Sequence, residues 1–151
     1  MKGFFLLAFL VLFSANGNTQ SELVWYEDLG KAAKVSQKTG KPLMLFFTGS
    51  DWCGWCIKLQ NEVFKKPEFT EWAKENVVLV DLDFPRKKPQ DSKIKEQNQK
   101  LQVKFGVRGY PTVIFASPTK NDLIEVGGRS GYIRGGASVW CMDATEKLKS
   151  K

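Results

Sequence analysis

Histidine is absent from all 151 residues. The chain therefore has no imidazole metal ligand, no cysteine–histidine catalytic pair and no Cys-x-x-Cys-His haem attachment. Cysteine is scarce as well: Cys53, Cys56 and Cys141 are the whole supply. In an oxidising compartment two of the three can pair and one is left over. No apolar run is long enough to span a bilayer stably; the leading one, Gly3 to Phe13, has signal-peptide length. Clustered charge of one sign is also nearly missing. The formal net charge is +7, but the basic residues scatter among Glu and Asp, apart from Arg86-Lys87-Lys88. Without a patch of interleaved aromatic and basic residues, no nucleic-acid partner is expected. The cations read as a solvated surface.

What is present is enough for one compact domain. Apolar residues make up 42% and aromatics 13%, including 11 Phe and 5 Trp, which argues against global disorder. Met1-Lys2 gives a positive start, and Ser14-Ala15-Asn16-Gly17 follows the apolar run with small residues suited to signal-peptidase cleavage. Residues 1–19 are read as a signal peptide and 20–151 as the domain, which places the protein in the periplasm or outside the cell. An uncleaved leader is the alternative. No cysteine lies near the cut to support a lipoprotein anchor.

The order of elements follows from period and punctuation. Leu23-Val24-Trp25-Tyr26 reads as a short strand, and Asp28 caps a helix running to about Lys38. Gly40 and Pro42 stop that helix. Leu43 to Phe47 is a continuous apolar run, as in a strand covered on both faces. A second helix starts near Cys53, with Cys56, Leu59 and Val63 on one stripe and a kink or break at Pro67. Val77 to Phe84 is a strand, Ser92 to Lys104 a helix, Thr112 to Ala116 and Leu123 to Val126 two further strands. Five glycines mark Gly127 to Gly136 as a loop, and Ser138 to Lys149 closes the chain as a helix. The order βαβαβαββα describes one α/β domain, parallel in its first half with a final antiparallel hairpin.

The chemistry concentrates in Asp51-Trp52-Cys53-Gly54-Trp55-Cys56. This Cys-x-x-Cys pair sits where a strand ends and a helix begins. Backbone N–H groups at a helix start favour negative charge, so Cys53 is expected to be the more acidic thiol, and exposed. Cys56, one turn further in, is expected to be shielded. Such a pair can exchange disulfides: Cys53 forms a mixed disulfide and Cys56 resolves it. A structural zinc site, an inert disulfide and two buried free thiols remain the other readings of the spacing. Cys141 falls on the inward face of the last helix and reads as a buried, inert thiol. Trp52 is expected to pack, and Trp55, between the cysteines, to be exposed as an apolar rim for substrate.

The strand Leu43-Met44-Leu45-Phe46-Phe47 followed by Trp52-Cys53-Gly54-Trp55-Cys56 resembles the active-site signature of the thioredoxin superfamily. Gly109-Tyr110-Pro111-Thr112 resembles its second signature, the cis-proline loop. The resemblance covers roughly Val24 to Lys149, and secreted thioredoxin-like proteins and periplasmic Dsb-type reductases look most similar. It implies a thioredoxin fold, a central mixed β-sheet flanked by helices. It also implies catalytic Cys53 and Cys56, and a substrate surface made by Trp52, Gly54, Trp55, Tyr110 and a cis Pro111. The implied activity is thiol–disulfide oxidoreduction on disulfide-containing proteins, with no cofactor or metal. A membrane thiol–disulfide electron donor is the implied partner, with membrane contact only through that donor or an uncleaved leader.

Two departures shape the expectation. Many thioredoxins carry a buried acid six positions before the first cysteine, where this chain has Phe47. Deprotonation of Cys56 is therefore expected to be slow. Strong oxidants and isomerases of the superfamily often place His between the cysteines, and Trp55 cannot supply that charge. A less stabilised thiolate makes a weaker oxidant, so reduction of disulfides is the favoured direction. An oxidase or isomerase, or a non-catalytic binding module of the same fold, is the alternative.

Overall fold

Six consecutive buried side chains make β2 (Leu43–Thr48) a strand covered on both faces, and the other elements are arranged around it. The computed structural model describes residues 22–150. The expected signal peptide lies outside the described residues. Strands β1 (Trp25–Tyr26), β2, β3 (Val78–Asp83), β4 (Thr112–Pro118) and β5 (Leu123–Glu125) form one sheet in the order β1-β3-β2-β4-β5. β3 is parallel to β1 and β2, whereas β4 is antiparallel to β2 and β5. This is the mixed α/β sheet of the thioredoxin fold.

Helix α1 (Leu29–Thr39) starts where the Asp28 carboxylate accepts the Lys31 N–H at 2.9 Å, and it ends at Gly40 in the left-handed region. Helix α4 (Ser92–Lys104) is capped by Asp91 in the same way. These two helices cover one face of the sheet, burying Ala32, Leu101 and Phe105 against Leu43, Leu45, Phe47, Val80 and Leu82. The opposite face carries α2 (Gly54–Leu59), α3 (Pro67–Asn76) and α5 (Gly136–Lys149). Its core is aromatic: Phe46, Phe64, Phe69, Phe115 and the fully buried Trp140 meet there with Met44, Leu59 and Val63.

One expectation about the order of elements needs correcting. Of the kink or break expected at Pro67 the structure shows a break, so the crossover from β2 to β3 is two helices where the expected order has one. α2 widens into a π-helical turn over Gln60–Phe64 and stops, and Pro67 occupies the first turn of α3. Proline lacks an N–H, which makes it costly inside a helix and well suited to a helix start, where that N–H has no partner. The order is therefore βαβααβαββα.

The glycine-rich segment after β5 is a loop, tied to β4 by reciprocal Ser130–Val113 backbone hydrogen bonds of 2.9 Å. Gly127 has φ 78°, and a Cβ there would overlap the Lys147 carbonyl of α5. Only glycine combines that conformation with that approach.

Candidate redox site

β2 ends at Thr48, and the turn after it closes when the N–H groups of Trp52 and Cys53 donate to the Gly49 carbonyl at 3.3 and 2.8 Å. Gly49 is required because a Cβ would run into the Trp52 indole. Cys53 then becomes the N-cap of α2. Its sulfur accepts the Cys56 N–H at 3.2 Å, and its carbonyl accepts the same N–H at 3.0 Å. Cys53 and Cys56 are joined by a disulfide with Cα atoms 5.2 Å apart.

Cys53 is not the exposed residue the sequence suggests. It is only 6% accessible, against 0% for Cys56. In the closed disulfide it joins the aromatic core on its side of the sheet, with Trp52 and Tyr110 packed around that cluster. The order of accessibility is as expected, but the difference is small.

Trp52 is half-buried and fixed from three sides. Its indole N–H donates to the Phe84 carbonyl at 2.8 Å, its ring meets Tyr110 edge-on at 5.7 Å, and the Arg86 guanidinium lies 3.7 Å from the ring centroid. The Trp52–Tyr110 contact, between residues 58 positions apart, brings the Tyr110–Pro111 segment to the cysteine turn. The Tyr110–Pro111 peptide is cis. Trp55 is 54% exposed, tilted against Tyr132 at 5.1 Å, and Lys58 lies 5.3 Å from both rings. Gly54 faces open space. Cys141 is buried and free, and burial pushes its thiol up to about 11.

Several contacts at the site are not visible in the sequence motifs. Asp51 accepts the backbone N–H groups of Arg86, Lys87 and Lys88 at 3.0, 2.7 and 3.1 Å, which clips the basic loop beside the cysteine turn. Those bonds, led by the one from Arg86, hold its carboxyl below the usual value. Nothing in the spacing connects Asp51 with residues 35 positions later. Tyr132, whose hydroxyl donates to Glu62 at 2.7 Å, comes from the glycine-rich loop and was equally hidden.

Phe47, six positions before Cys53, packs with the core on the α1 and α4 side of the sheet, together with Leu45 and Leu82. The β2 residue on the cysteine side is Phe46. Its register partner on β3 is Asp81. Asp81 borders a cavity of about 250 Å³ with Trp25, Phe46, Gln60, Phe64 and Lys65. Its Oδ1 is buried without a hydrogen-bond partner. Burial, reinforced by Asp83 and Glu27 and opposed by Lys88, raises its carboxyl to about 7. Among the described residues, no group of three His, Cys, Asp or Glu is arranged to hold a metal ion.

A mixed sheet of this order with a bonded Cys-x-x-Cys pair at the start of α2 defines a thioredoxin-fold thiol–disulfide oxidoreductase. The sequence profile of the thioredoxin-like domain matches residues 29–131, and the chain belongs to that family. It is 34% identical over 129 residues to the disulfide bond reductase DsbH of Chlamydia pneumoniae, covering 85% of this chain and 75% of that one. It is 31% identical to the thioredoxin-related protein DsbJ of the same organism, covering 80% of this chain and 35% of that longer one. The solved structure of a DsbH oxidoreductase superposes with a TM-score of 0.77 at 29% identity, over 99% of this chain and 96% of that one. A thioredoxin from Thermus thermophilus shares the fold, with a TM-score of 0.59 at 21% identity over 84% of this chain and 90% of that one.

Proposed function

We propose that this protein reduces disulfides in extracytoplasmic proteins through Cys53 and Cys56. The observation that carries the reading is the bonded pair itself, at the start of α2 and beside the Tyr110–Pro111 loop. In the reduced protein the Cys53 thiolate attacks a substrate disulfide. A Cys53–substrate bond forms and one substrate thiolate leaves. Cys56 then loses its proton and attacks the Cys53 sulfur, the second substrate thiolate leaves, and the Cys53–Cys56 bond closes. The substrate gains two electrons and two protons, and the pair is left oxidised. An external dithiol must then re-reduce it, and a membrane thiol–disulfide donor suits that role.

Trp55 supplies exposed apolar surface beside Cys53, Trp52 on the other side supports the site beneath the Arg86 guanidinium, and the open space at Gly54 admits a substrate backbone. The backbone at Tyr110, next to the cis Pro111, is placed for an extended substrate segment to pair along it. Reduction is favoured over oxidation because Trp55 offers no charge to stabilise the Cys53 thiolate. The similarity to a protein called a disulfide bond reductase supports the same direction. Residues 1–19 would act as the leader that carries domain 20–151 to the periplasm or outside the cell.

The deciding measurement is the reduction potential of the mature protein, equilibrated with defined thiol–disulfide mixtures and trapped. A value near about −270 mV supports a reductase fed by a dedicated donor. A value near about −120 mV makes it a disulfide donor instead. Cys53→Ser is expected to abolish reduction, whereas Cys56→Ser should accumulate the mixed disulfide.

A further inference from the structure

The clip made by Asp51 has a consequence for the partner. A carboxylate beside three basic residues would ordinarily neutralise their side chains. Here both of its oxygens are engaged by the backbone N–H groups of Arg86, Lys87 and Lys88. Lys88, also exposed, engages its ammonium with the Ser50 hydroxyl, with Nζ and Oγ 3.3 Å apart. Arg86 and Lys87 are exposed, and neither is among the ion pairs formed by the described residues. Arg86 lies over the ring of Trp52, the residue immediately before Cys53, with its guanidinium carbon 3.7 Å from the centroid. A stacked guanidinium keeps its N–H edge available for bidentate carboxylate binding and loses little freedom when it binds. Arg108, two residues before Tyr110, is exposed and likewise outside the ion pairs of the described residues.

We propose that the clipped Arg86-Lys87 segment, together with the exposed Arg108 near Tyr110, is a docking rim that selects protein disulfides flanked by Asp or Glu. The inference rests on the reading of Cys53 and Cys56 as the exchanging pair. Fixed cations at the edge of a reactive site speed the encounter with an anionic segment and hold its register, while a cationic segment is repelled. The occupant is an extended substrate strand carrying carboxylates one to three residues from its cysteine, within reach of Arg86 while its sulfur meets Cys53.

The test uses the reduced mature protein and three peptide disulfides of one backbone, flanked by Glu, Gln or Lys, with oxidation of Cys53 and Cys56 followed by thiol trapping. At low ionic strength the Glu peptide is expected to react about tenfold faster than the Lys peptide. Salt at about 0.5 M should remove most of that ratio. Arg86→Glu/Lys87→Glu should reverse the order, and Lys87→Glu alone should move the ratio the same way. Asp51→Ala separates a placed rim from simple net charge. It makes the site more positive, so a pure charge effect enlarges the Glu/Lys ratio, whereas loss of the clip shrinks it. Equal rates for the three peptides, a ratio unmoved by the double substitution, or a ratio enlarged by Asp51→Ala overturns the docking rim and leaves the exchange reaction standing. Failure of all three peptides to react overturns the exchange reading and the rim with it.

Discussion

A carboxylate at Asp81 faces Trp25, Phe46 and Phe64 with one oxygen unpartnered, so ionising it inside the folded protein is costly. Its folded-state value is raised from 3.8 to about 7, which means that the folded chain holds this proton more tightly than the unfolded chain. The associated stability is fully present below about pH 4 and is lost as pH rises towards 7, by roughly 4 kcal/mol at most. Asp81→Asn should therefore be close to the parent at pH 4 and more stable at pH 8, as read from urea unfolding at the two pH values. An equal effect at both would remove the assignment. The other buried group with a raised value, Cys141, should behave as an inert thiol. With the Cys53–Cys56 bond closed, the folded protein at pH 8 is expected to take up no alkylating label, and the denatured protein one equivalent. Label taken up rapidly in the folded state would contradict the burial of Cys141.

Among the elements, those with local punctuation could be read from sequence and those made by distant contacts could not. Asp28 and Gly40 bound α1, and Ser92–Lys104 follows its own periodicity, because capping and amphipathicity are short-range. Pro67 reads as a kink or a break, and which of the two forms depends on the π-helical turn before it, which has no sequence signature. The cysteine turn was legible for the same local reason as α1. Its companions Asp51, Arg86 and Tyr132 were not, because each reaches the site through a contact spanning tens of residues. Asp81 was not legible either: in a strand, one residue of offset moves a side chain to the opposite face, and only the β2–β3 register sets Asp81 beside Phe46. Gly49 shows how tightly the turn is built. Gly49→Ala should push the Trp52 indole away, since the Cβ would occupy its place. The expected result is loss of the Trp52–Tyr110 contact, seen as a change in near-ultraviolet circular dichroism, with about 1–3 kcal/mol lost in stability. An unchanged aromatic spectrum would mean that the turn relaxes around the methyl group.

At the scale of the whole molecule the sheet divides the interior into two cores. Trp25, Trp52, Trp72 and Trp140 all belong to the cysteine side. The fifth, Trp55, lies in the open beside the same site. Tryptophan fluorescence therefore reports one side of the sheet, while α1 and α4 on the other contribute only to far-ultraviolet circular dichroism. The two sides are coupled because the same strands serve both: Met44 and Phe46 point one way, Leu43, Leu45 and Phe47 the other. Losing order on one side frees the strands whose alternate residues hold the other, so a single cooperative transition is expected. Leu101→Ala tests this from the side that holds no tryptophan. It removes a buried side chain from α4 and should cost about 2–4 kcal/mol. If the cores are coupled, the fluorescence midpoint moves as far as the circular dichroism midpoint, although no tryptophan touches the substituted site. If fluorescence stays in place while circular dichroism shifts, the face carrying Cys53 and Cys56 is stable without its partner.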